Sequence, residues 1–136
     1  MTQVRELMTA SPTTVSPSTP VRDAARMMAE ENVGSLPVVE DEQLVGVVTD
    51  RDLVTRVIAE DRDPSATTGG EVASRDVVTV GPDDELDRAL ELMASNQIRR
   101  IPVVEGGRLV GILAQADVAR EAEPAQTGVV VEEISR

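Results

Sequence analysis

Two stretches of the chain carry apolar residues at helical spacing. Positions 21, 24, 25 and 28 are Val, Ala, Ala and Met, and positions 86, 89, 90 and 93 are Leu, Ala, Leu and Met. In both stretches apolar side chains recur at i, i+3, i+4 and i+7, which places them on one face of a helix. The pattern predicts one amphipathic helix at 21–31 and another at 85–96.

Shorter apolar runs predict strands. Residues 36–39 and 44–48 are separated by an acidic turn, and residues 101–104 and 109–113 are separated by a turn at Gly106-Gly107. Each of these pairs predicts a β-hairpin.

The segments that flank the hairpins predict further elements. Residues 13–15 and 77–80 are rich in Val and Thr and predict first strands that end before Pro17 and Pro82. Residues 50–60 and 115–121 predict closing helices. The first of these helices should direct four apolar side chains inward: Leu53, Val54, Val57 and Ile58.

An internal repeat organises these elements. An offset of 65 residues aligns Gly46 with Gly111 and Asp52 with Asp117 without a gap. Between residues 6–54 and 71–119 the alignment contains 15 identities in 49 positions, counted directly on the sequence. Self-similarity at a fixed period indicates two copies of one structural unit.

Each copy reads β-α-β-β-α, so the sequence predicts an α/β (α+β) fold of two repeats. The predicted organisation is a first domain at 1–62, a linker at 63–70, a second domain at 71–123 and a tail at 124–136. The linker contains Pro64, Gly69 and Gly70, which should stop any helix. Because one copy of about 50 residues is marginal alone, we expect the copies to pack through their sheets with pseudo-two-fold symmetry.

Composition excludes much chemistry. The chain has no Phe, Trp, Tyr, Cys or His, and the printed sequence contains no Lys. It therefore offers no thiolate or imidazole nucleophile, base or metal ligand, and no Schiff-base lysine. We expect an aliphatic core, no catalytic residue, no metal site, no required cofactor and no enzymatic activity.

Charge and hydropathy narrow the partners. The net charge of −12 and the lack of aromatic residues disfavour nucleic acid, whose binding needs basic faces or stacking platforms. No apolar run approaches the roughly 20 residues of a membrane span, and the first residues do not lead into a secretory signal. We expect a cytoplasmic protein with neither a nucleic-acid nor a membrane partner.

The repeated motifs resemble those of a known family. The carrying segments are Gly46-Val47-Val48-Thr49-Asp50-Arg51-Asp52, Gly111-Ile112-Leu113-Ala114-Gln115-Ala116-Asp117 and the Pro-Val-Val strands at 37–39 and 102–104. With them the chain resembles a tandem pair of cystathionine-β-synthase (CBS) domains over nearly its whole length. The segments Val4-Arg5-Glu6-Leu7-Met8, Thr49-Asp50-Arg51-Asp52 and Ile98-Arg99-Arg100-Ile101-Pro102 make it similar to stand-alone bacterial CBS pairs of the actinobacterial hypoxic-response type.

That resemblance implies a regulatory module that senses an adenosine-containing ligand of the AMP, ATP, S-adenosylmethionine or NADH class in clefts between the repeats. The implied first cleft consists of Val47, Thr49, Asp52, Val77, Val78, Arg99, Arg100 and Ile101. Asp52 would bind ribose hydroxyls, Thr49 and the following helix a phosphate oxygen, and Arg99 or Arg100 the phosphate charge.

The implied second cleft is weaker. It would consist of Thr14, Gly34, Ser35, Leu36, Ile112 and Asp117. Ala114 stands where the first repeat has Thr49, and Gly34 and Ser35 stand where the second repeat has Arg99 and Arg100. We expect a phosphorylated ligand to prefer the first cleft.

Other interpretations stay open at this point. Thr49-Asp50-Arg51-Asp52 is also a capping-box pattern that would start a helix without any ligand. The alternative function is a dimeric interaction or stress-response module without nucleotide binding, which could use the tail Gly128-Val129-Val130-Val131 as an added strand. Met27 and Leu92, one step off the helical stripes, are either core residues or contacts of the homodimer that we expect.

Overall fold

The computed structural model describes residues 1–121, and the side chains of residues 1–119. Within these residues the chain divides into two compact units. The first-repeat unit consists of residues 13–77, and the second-repeat unit consists of residues 1–12 together with residues from 78 onward. The predicted tail at 124–136 lies outside the described residues.

The described residues form helices and short strands, with a 3₁₀ turn at Val4–Glu6 before the first strand. The elements are β1 (Thr9–Ala10), α1 (Val21–Glu31), β2 (Ser35–Glu40), β3 (Gln43–Thr49), α2 (Asp50–Leu53), α3 (Gly69–Val72), α4 (Leu86–Asn96), β4 (Arg100–Glu105), β5 (Arg108–Ala114) and α5 (Gln115–Glu121). The mixed α/β class predicted from the sequence is confirmed.

The two amphipathic helices are confirmed as α1 and α4. Their stripes are buried at Ala24 and Met28 in α1 and at Ala89 and Met93 in α4. Each helix ends at a residue in the left-handed conformation, Asn32 (φ 55°) or Gln97 (φ 54°). The N–H of the next residue then donates to the carbonyl of the methionine, at 3.0 Å in both helices, so the chain turns directly into a strand.

Both hairpins are confirmed. β2 pairs antiparallel with β3, and β4 pairs antiparallel with β5, each with one register shift within the Pro-Val-Val segment, at Val38/Val39 and at Val103/Val104. The register places Ser35 opposite Thr49 and Arg100 opposite Ala114. The residue two positions before the proline of each repeat therefore lies beside the end of the Gly-containing strand of the same repeat.

The predicted first strands are shorter than expected. In each, one residue alone forms a bridge, Val15 with Val38 and Val80 with Val103, both parallel. Val15 donates to the Pro37 carbonyl at 3.0 Å and accepts from Val39 at 2.8 Å. The prolines Pro17 and Pro82 limit pairing after each bridge because they have no N–H to donate, but they do not explain why residues 13–14 and 77–79 before the bridges are unpaired.

The segment before each repeat packs in the unit of the other repeat. In the first-repeat unit, residues before the second repeat form antiparallel bridges from Thr68 to Pro20 and from Ser74 to Val47. In the second-repeat unit, Gln3 bridges Glu85, and β1 pairs with β5 through Thr9 and Ile112. These bridges match at the offset of 65 residues, so the same backbone arrangement occurs in both units.

A helix, α3, begins at the last two residues of the predicted linker. Gly69 and Gly70, which we expected to stop any helix, form the start of α3. A Cβ on Gly70 would lie 2.9 Å from the Pro17 carbonyl oxygen, so a glycine is needed for this close approach. Here the glycines serve packing against residues 16–20 rather than helix termination.

The first closing helix differs from the prediction. α2 ends at Leu53 and continues as a π-helical turn at Val54–Ile58, closed by the Ala59 N–H donating to the Val54 carbonyl at 2.9 Å. Val57 is buried and Leu53 packs against the core, but Val54 and Ile58 are 55% and 67% exposed. The expectation that Val54 and Ile58 point inward is wrong, because the wider turn changes which residues share a face.

Each unit buries its own aliphatic cluster, as expected from a chain without aromatic residues. Met27 packs against the first-repeat cluster and Leu92 against the second-repeat cluster. The fully buried side chains with the largest volume are Leu36, Val21, Val38, Val48, Val57 and Val72 in the first-repeat cluster, and Met93, Ile101, Leu113, Val4 and Val103 in the second-repeat cluster. Among the described helices, none combines the length and hydropathy that a membrane span requires.

Candidate ligand-binding site

The end of β3 and the start of α2 are joined by a capping box. The Thr49 hydroxyl accepts a hydrogen bond from the Asp52 N–H at 3.1 Å, and the Asp52 Oδ2 accepts one from the Thr49 N–H at 2.9 Å. These bonds satisfy two backbone donors at the helix start. The capping interpretation of this motif is therefore confirmed, and the question is what the two side chains can do besides capping.

Each of the two side chains can form one further hydrogen bond. Among the described residues, the Thr49 hydroxyl has no acceptor for its own proton, and the Asp52 Oδ1 accepts no hydrogen bond. The Asp52 side chain is only 14% exposed, and its Oδ1 forms an ion pair of 3.9 Å with the Arg56 Nε, which is too long for a hydrogen bond. Thr49 can donate to a ligand oxygen and Asp52 can accept from a ligand hydroxyl while the capping box stays intact.

The strand that leads to this box is held by the segment before the second repeat. Val47 and Ser74 exchange two backbone hydrogen bonds of 2.9 Å each. A Cβ on Gly46 would lie 2.8 Å from the Ser74 carbonyl oxygen, which explains the glycine of this motif sterically. Val47 and Val77 are both half-buried and leave apolar surface within the first-repeat unit.

Four residues assigned to the second predicted cleft also lie in the first-repeat unit. Gly34 accepts from the Asp50 N–H at 2.9 Å, and Ser35 lies opposite Thr49. Thr14 is half-buried, and Leu36 is buried in the core. The side chain of Leu36 is therefore occupied by packing, whereas Ser35 remains beside the capping box.

In the second-repeat unit, the arginine pair precedes the buried part of β4. Arg99 and Arg100 are exposed, and neither guanidinium forms a hydrogen bond or ion pair within residues 1–119. Ile101 is fully buried, and Val78 packs against the same cluster. The two guanidinium groups are thus available to an anion, whereas Ile101 offers a ligand only its backbone.

The second Gly-containing motif has the same backbone but different side chains. The Gln115 N–H donates to the Arg99 carbonyl at 2.8 Å, as Asp50 does to Gly34. Ala114 has no hydroxyl, Asp117 is half-buried and takes part in an interaction within the described chain, and Ile112 is buried. A box of the Thr49–Asp52 kind cannot form at this position.

Within each unit the structure brings together residues that the sequence assigned to different clefts. Thr49 lies beside Ser35 in the first-repeat unit, and Ala114 lies beside Arg100 in the second-repeat unit. The combination of Thr49 and Asp52 with Arg99 and Arg100 around one ligand stays a prediction.

One charged residue near the capping box was missed from the sequence. The Arg56 Nε lies 3.9 Å from the Asp52 Oδ1, and its Nη1 donates to the Val72 carbonyl at 3.0 Å. The i, i+4 spacing of Asp52 and Arg56 was the available signal. The contact between Arg56 and Val72 could not be predicted from the sequence because it joins residues 16 positions apart.

Comparison with known proteins agrees with the repeat and the fold. The family model described as "CBS domain" matches residues 4–59 and again residues 70–123. The chain belongs to the CBS-domain family. It is a CBS-pair regulatory module, and both its repeats match the model.

The relatives include stand-alone CBS proteins. The chain is 44% identical over 119 residues to the CBS domain-containing protein YhcV of Bacillus subtilis, covering 88% of this chain and 84% of that protein. It is 38% identical over 121 residues to hypoxic response protein 1 of Mycobacterium tuberculosis, covering 88% and 85%. The resemblance to hypoxic-response proteins is therefore confirmed.

Solved structures show the same fold. The hypoxic response protein structure, with two coordinated zinc ions, matches with a TM-score of 0.79 and 37% identity over 90% of this chain and 100% of that one. The structure of CBSX2 in complex with AMP matches with a TM-score of 0.76 and 32% identity over 89% and 96%. The present chain has no Cys or His to offer zinc, and residues 1–121 contain no cluster of three or more potential metal ligands.

Proposed function

We propose that this CBS pair is a sensor that binds an adenosine phosphate of the AMP or ATP class without consuming it. The observation that carries the proposal is the similarity to CBSX2, whose structure contains AMP, over nearly the full length of both chains. S-adenosylmethionine and NADH share the adenosine group and belong to the same ligand class. We also propose that the protein acts in the cytoplasm.

The chemistry of the capping box supports an adenosine ligand. A ribose hydroxyl can donate to the Asp52 Oδ1, which accepts no hydrogen bond from the described residues, and a phosphate oxygen can accept the hydroxyl proton of Thr49. We propose that Arg99 and Arg100 neutralise the phosphate, since an anion meets an unfavourable average field in a chain of charge −12. We assign the adenine contacts to Val47, Val77 and Val78 and to the backbone of Ile101.

The two aspartates should not contribute equally. Asp52 belongs to a complete box with a hydroxyl, whereas Asp117 follows Ala114. We propose that the set containing Thr14, Gly34, Ser35, Leu36, Ile112 and Asp117 binds a phosphorylated ligand more weakly. The first set also contains Arg99 and Arg100, where the second set has Gly34 and Ser35 at the equivalent sequence positions.

Titration calorimetry tests this proposal with AMP, ADP, ATP, S-adenosylmethionine and NADH. Asp52→Ala removes a charge-assisted hydrogen bond of about 1.5–3 kcal/mol and should weaken nucleotide binding at least about tenfold. Asp117→Ala is the matched control and should have a smaller effect. Arg100→Ala should weaken AMP more than adenosine, because it acts on the phosphate. Equal losses from the two aspartate variants would contradict the proposed asymmetry.

The second candidate function is a dimeric interaction module. The observation that favours it is the exposure of two large aliphatic side chains, Val54 and Ile58, one turn apart. They replace Met27 and Leu92 as the apolar residues that would support a homodimer, since those two pack against core clusters. Failure of the wild type to bind any of the five ligands at millimolar concentration would favour this function. Sedimentation showing a monomer of 14.5 kDa at micromolar concentration would exclude the homodimer.

A further inference from the structure

The Arg56 guanidinium forms a hydrogen bond through its Nη1 but none through its Nε. Its Nη1 donates to the Val72 carbonyl at 3.0 Å, which fixes the guanidinium against the end of α3. Its Nε faces the Asp52 Oδ1 at 3.9 Å, too far for a direct hydrogen bond. Asp52 cannot move freely to close this gap, since its other oxygen accepts from the Thr49 N–H.

One oxygen that lies to the side of the line between the two groups can reach both of them. A hydroxyl that accepts from Nε at about 2.9 Å and donates to Oδ1 at about 2.7 Å satisfies both groups across a separation of 3.9 Å. A hydroxyl is both a donor and an acceptor, which this pair of groups requires. A deprotonated phosphate oxygen only accepts and a protonated amine only donates, so each fulfils one of the two requirements.

We propose that Arg56 and Asp52 together bind one ribose hydroxyl, so that Arg56 determines the preference for ribose over deoxyribose. This inference rests on the proposed function, because it assigns a partner to the same carboxylate. The ligand class is an adenosine nucleotide with an intact ribose diol.

The contact with Val72 distinguishes Arg56 from an ordinary surface ion pair. An exposed pair at i, i+4 contributes little and samples many side-chain geometries. Arg56 is 53% exposed, but its bond to a backbone carbonyl holds the Nε toward the Asp52 side chain, which is 14% exposed. The guanidinium is therefore oriented before any ligand binds, which lowers the entropic cost of binding.

The second repeat lacks this pair. The offset of 65 residues aligns Asp52 with Asp117 but Arg56 with Glu121. A like charge replaces the guanidinium, so the donor that a bridging hydroxyl needs is absent from that sequence position. This difference adds to the loss of Thr49 at Ala114.

The experiment measures the affinities of AMP, 2′-deoxy-AMP and 3′-deoxy-AMP for wild type, Arg56→Met, Arg56→Lys and Arg26→Met. Arg26 lies exposed on α1 of the same unit and controls for the loss of one charge. We expect the wild type to prefer AMP over one deoxy analogue by about five- to tenfold. Arg56→Met should abolish that preference by weakening AMP alone, whereas Arg56→Lys should retain part of it and Arg26→Met all of it.

The possible outcomes separate the two proposals. If wild type binds AMP but Arg56→Met weakens AMP and both deoxy analogues equally, Arg56 has only a structural role and this inference is overturned while the proposed function stands. The same holds if wild type does not distinguish AMP from either analogue. If wild type binds none of the three nucleotides, the proposed AMP site fails and this inference fails with it. Thermal unfolding of the ligand-free variants identifies a loss of folding, in which case Arg56→Lys decides.

Discussion

The two repeats share a backbone and differ in the side chains placed on it. Asp50 and Gln115 donate to the carbonyls of Gly34 and Arg99 at 2.9 and 2.8 Å, in equivalent positions. The first repeat has Thr49 where the second has Ala114, and Gly34 where the second has Arg99. The comparison shows that hydrogen bonds of the main chain preserve the fold while the chemistry of each half changes independently.

The largest effect on stability is expected where another backbone segment closely approaches the glycine of each Gly-containing strand. A Cβ on Gly46 would lie 2.8 Å from the Ser74 carbonyl oxygen, and one on Gly111 would lie 2.9 Å from the Thr9 carbonyl oxygen. We expect Gly46→Ala and Gly111→Ala each to lower the free energy of unfolding by about 1–3 kcal/mol, as overpacking against backbone does.

Urea denaturation measures this pair, with Gly81→Ala as the control. A Cβ at Gly81 would make only an ordinary contact of 3.6 Å with the Asp84 side chain, so its substitution should change stability by less than about 0.5 kcal/mol. Equal effects at Gly46 and Gly81 would contradict the close approach of Ser74 to Gly46, and unequal effects at Gly46 and Gly111 would show that the two repeats differ in backbone.

Substitutions in the hairpin turns should change stability less, and the two reciprocal substitutions should have opposite signs in the two repeats. Asp41 and Gly106 are equivalent and have positive φ values of 51° and 61°. Nothing lies within 4 Å of a Cβ built on Gly106, so Gly106→Ala should cost about 1 kcal/mol through backbone conformation alone.

The reverse change, Asp41→Gly, should stabilise the protein by less than about 1 kcal/mol. The relief of the left-handed conformation is partly offset because glycine has more freedom in the unfolded chain. Thermal unfolding of both variants checks the signs. A stabilising Gly106→Ala would contradict the positive φ at that turn.

The smallest expected effect is a pH dependence in the segment that begins α3. The Thr68 backbone N–H donates to Glu71 at 2.7 Å and lowers the pKa of that carboxyl below its ordinary value of 4.5, with further lowering by the Thr68 hydroxyl and Arg62. Because the pKa is lower in the folded state, this contribution to stability is present above about pH 4.5 and is lost as the pH falls through the folded-state pKa.

Replacing Glu71 by Gln should therefore flatten the decline in stability below pH 4.5 slightly, since the carboxyl that titrates is gone. Glu60→Gln, at an exposed position outside any such box, is the control. Unfolding curves collected between pH 3 and pH 7 measure the difference; identical pH profiles for the Glu71→Gln variant and wild type would contradict it. The equivalent Gln3 offers Glu6 a backbone N–H at 2.6 Å but no hydroxyl, so the two boxes differ in this detail.

Local patterns predicted most of the regular structure. The stripes of α1 and α4, both hairpins and the Thr49–Asp52 box follow from spacing within a few residues, where sequence order and spatial proximity coincide. The first strands were overestimated because β propensity gives no information on where a partner strand ends. The inward orientation of Val54 and Ile58 failed because α-helical periodicity does not describe a π-helical turn.

The sequence by itself determined that this protein consists of two equivalent repeats with an aliphatic core, and it placed a capping threonine and aspartate at the end of one Gly-containing strand. Only the tertiary structure decided that residues 68–74 pack with the first repeat and residues 3–10 with the second. It also decided that Arg56 donates to the Val72 carbonyl and forms an ion pair with the Asp52 Oδ1. Such contacts join backbone carbonyls to distant segments, and a carbonyl group has no sequence signature because every residue carries one.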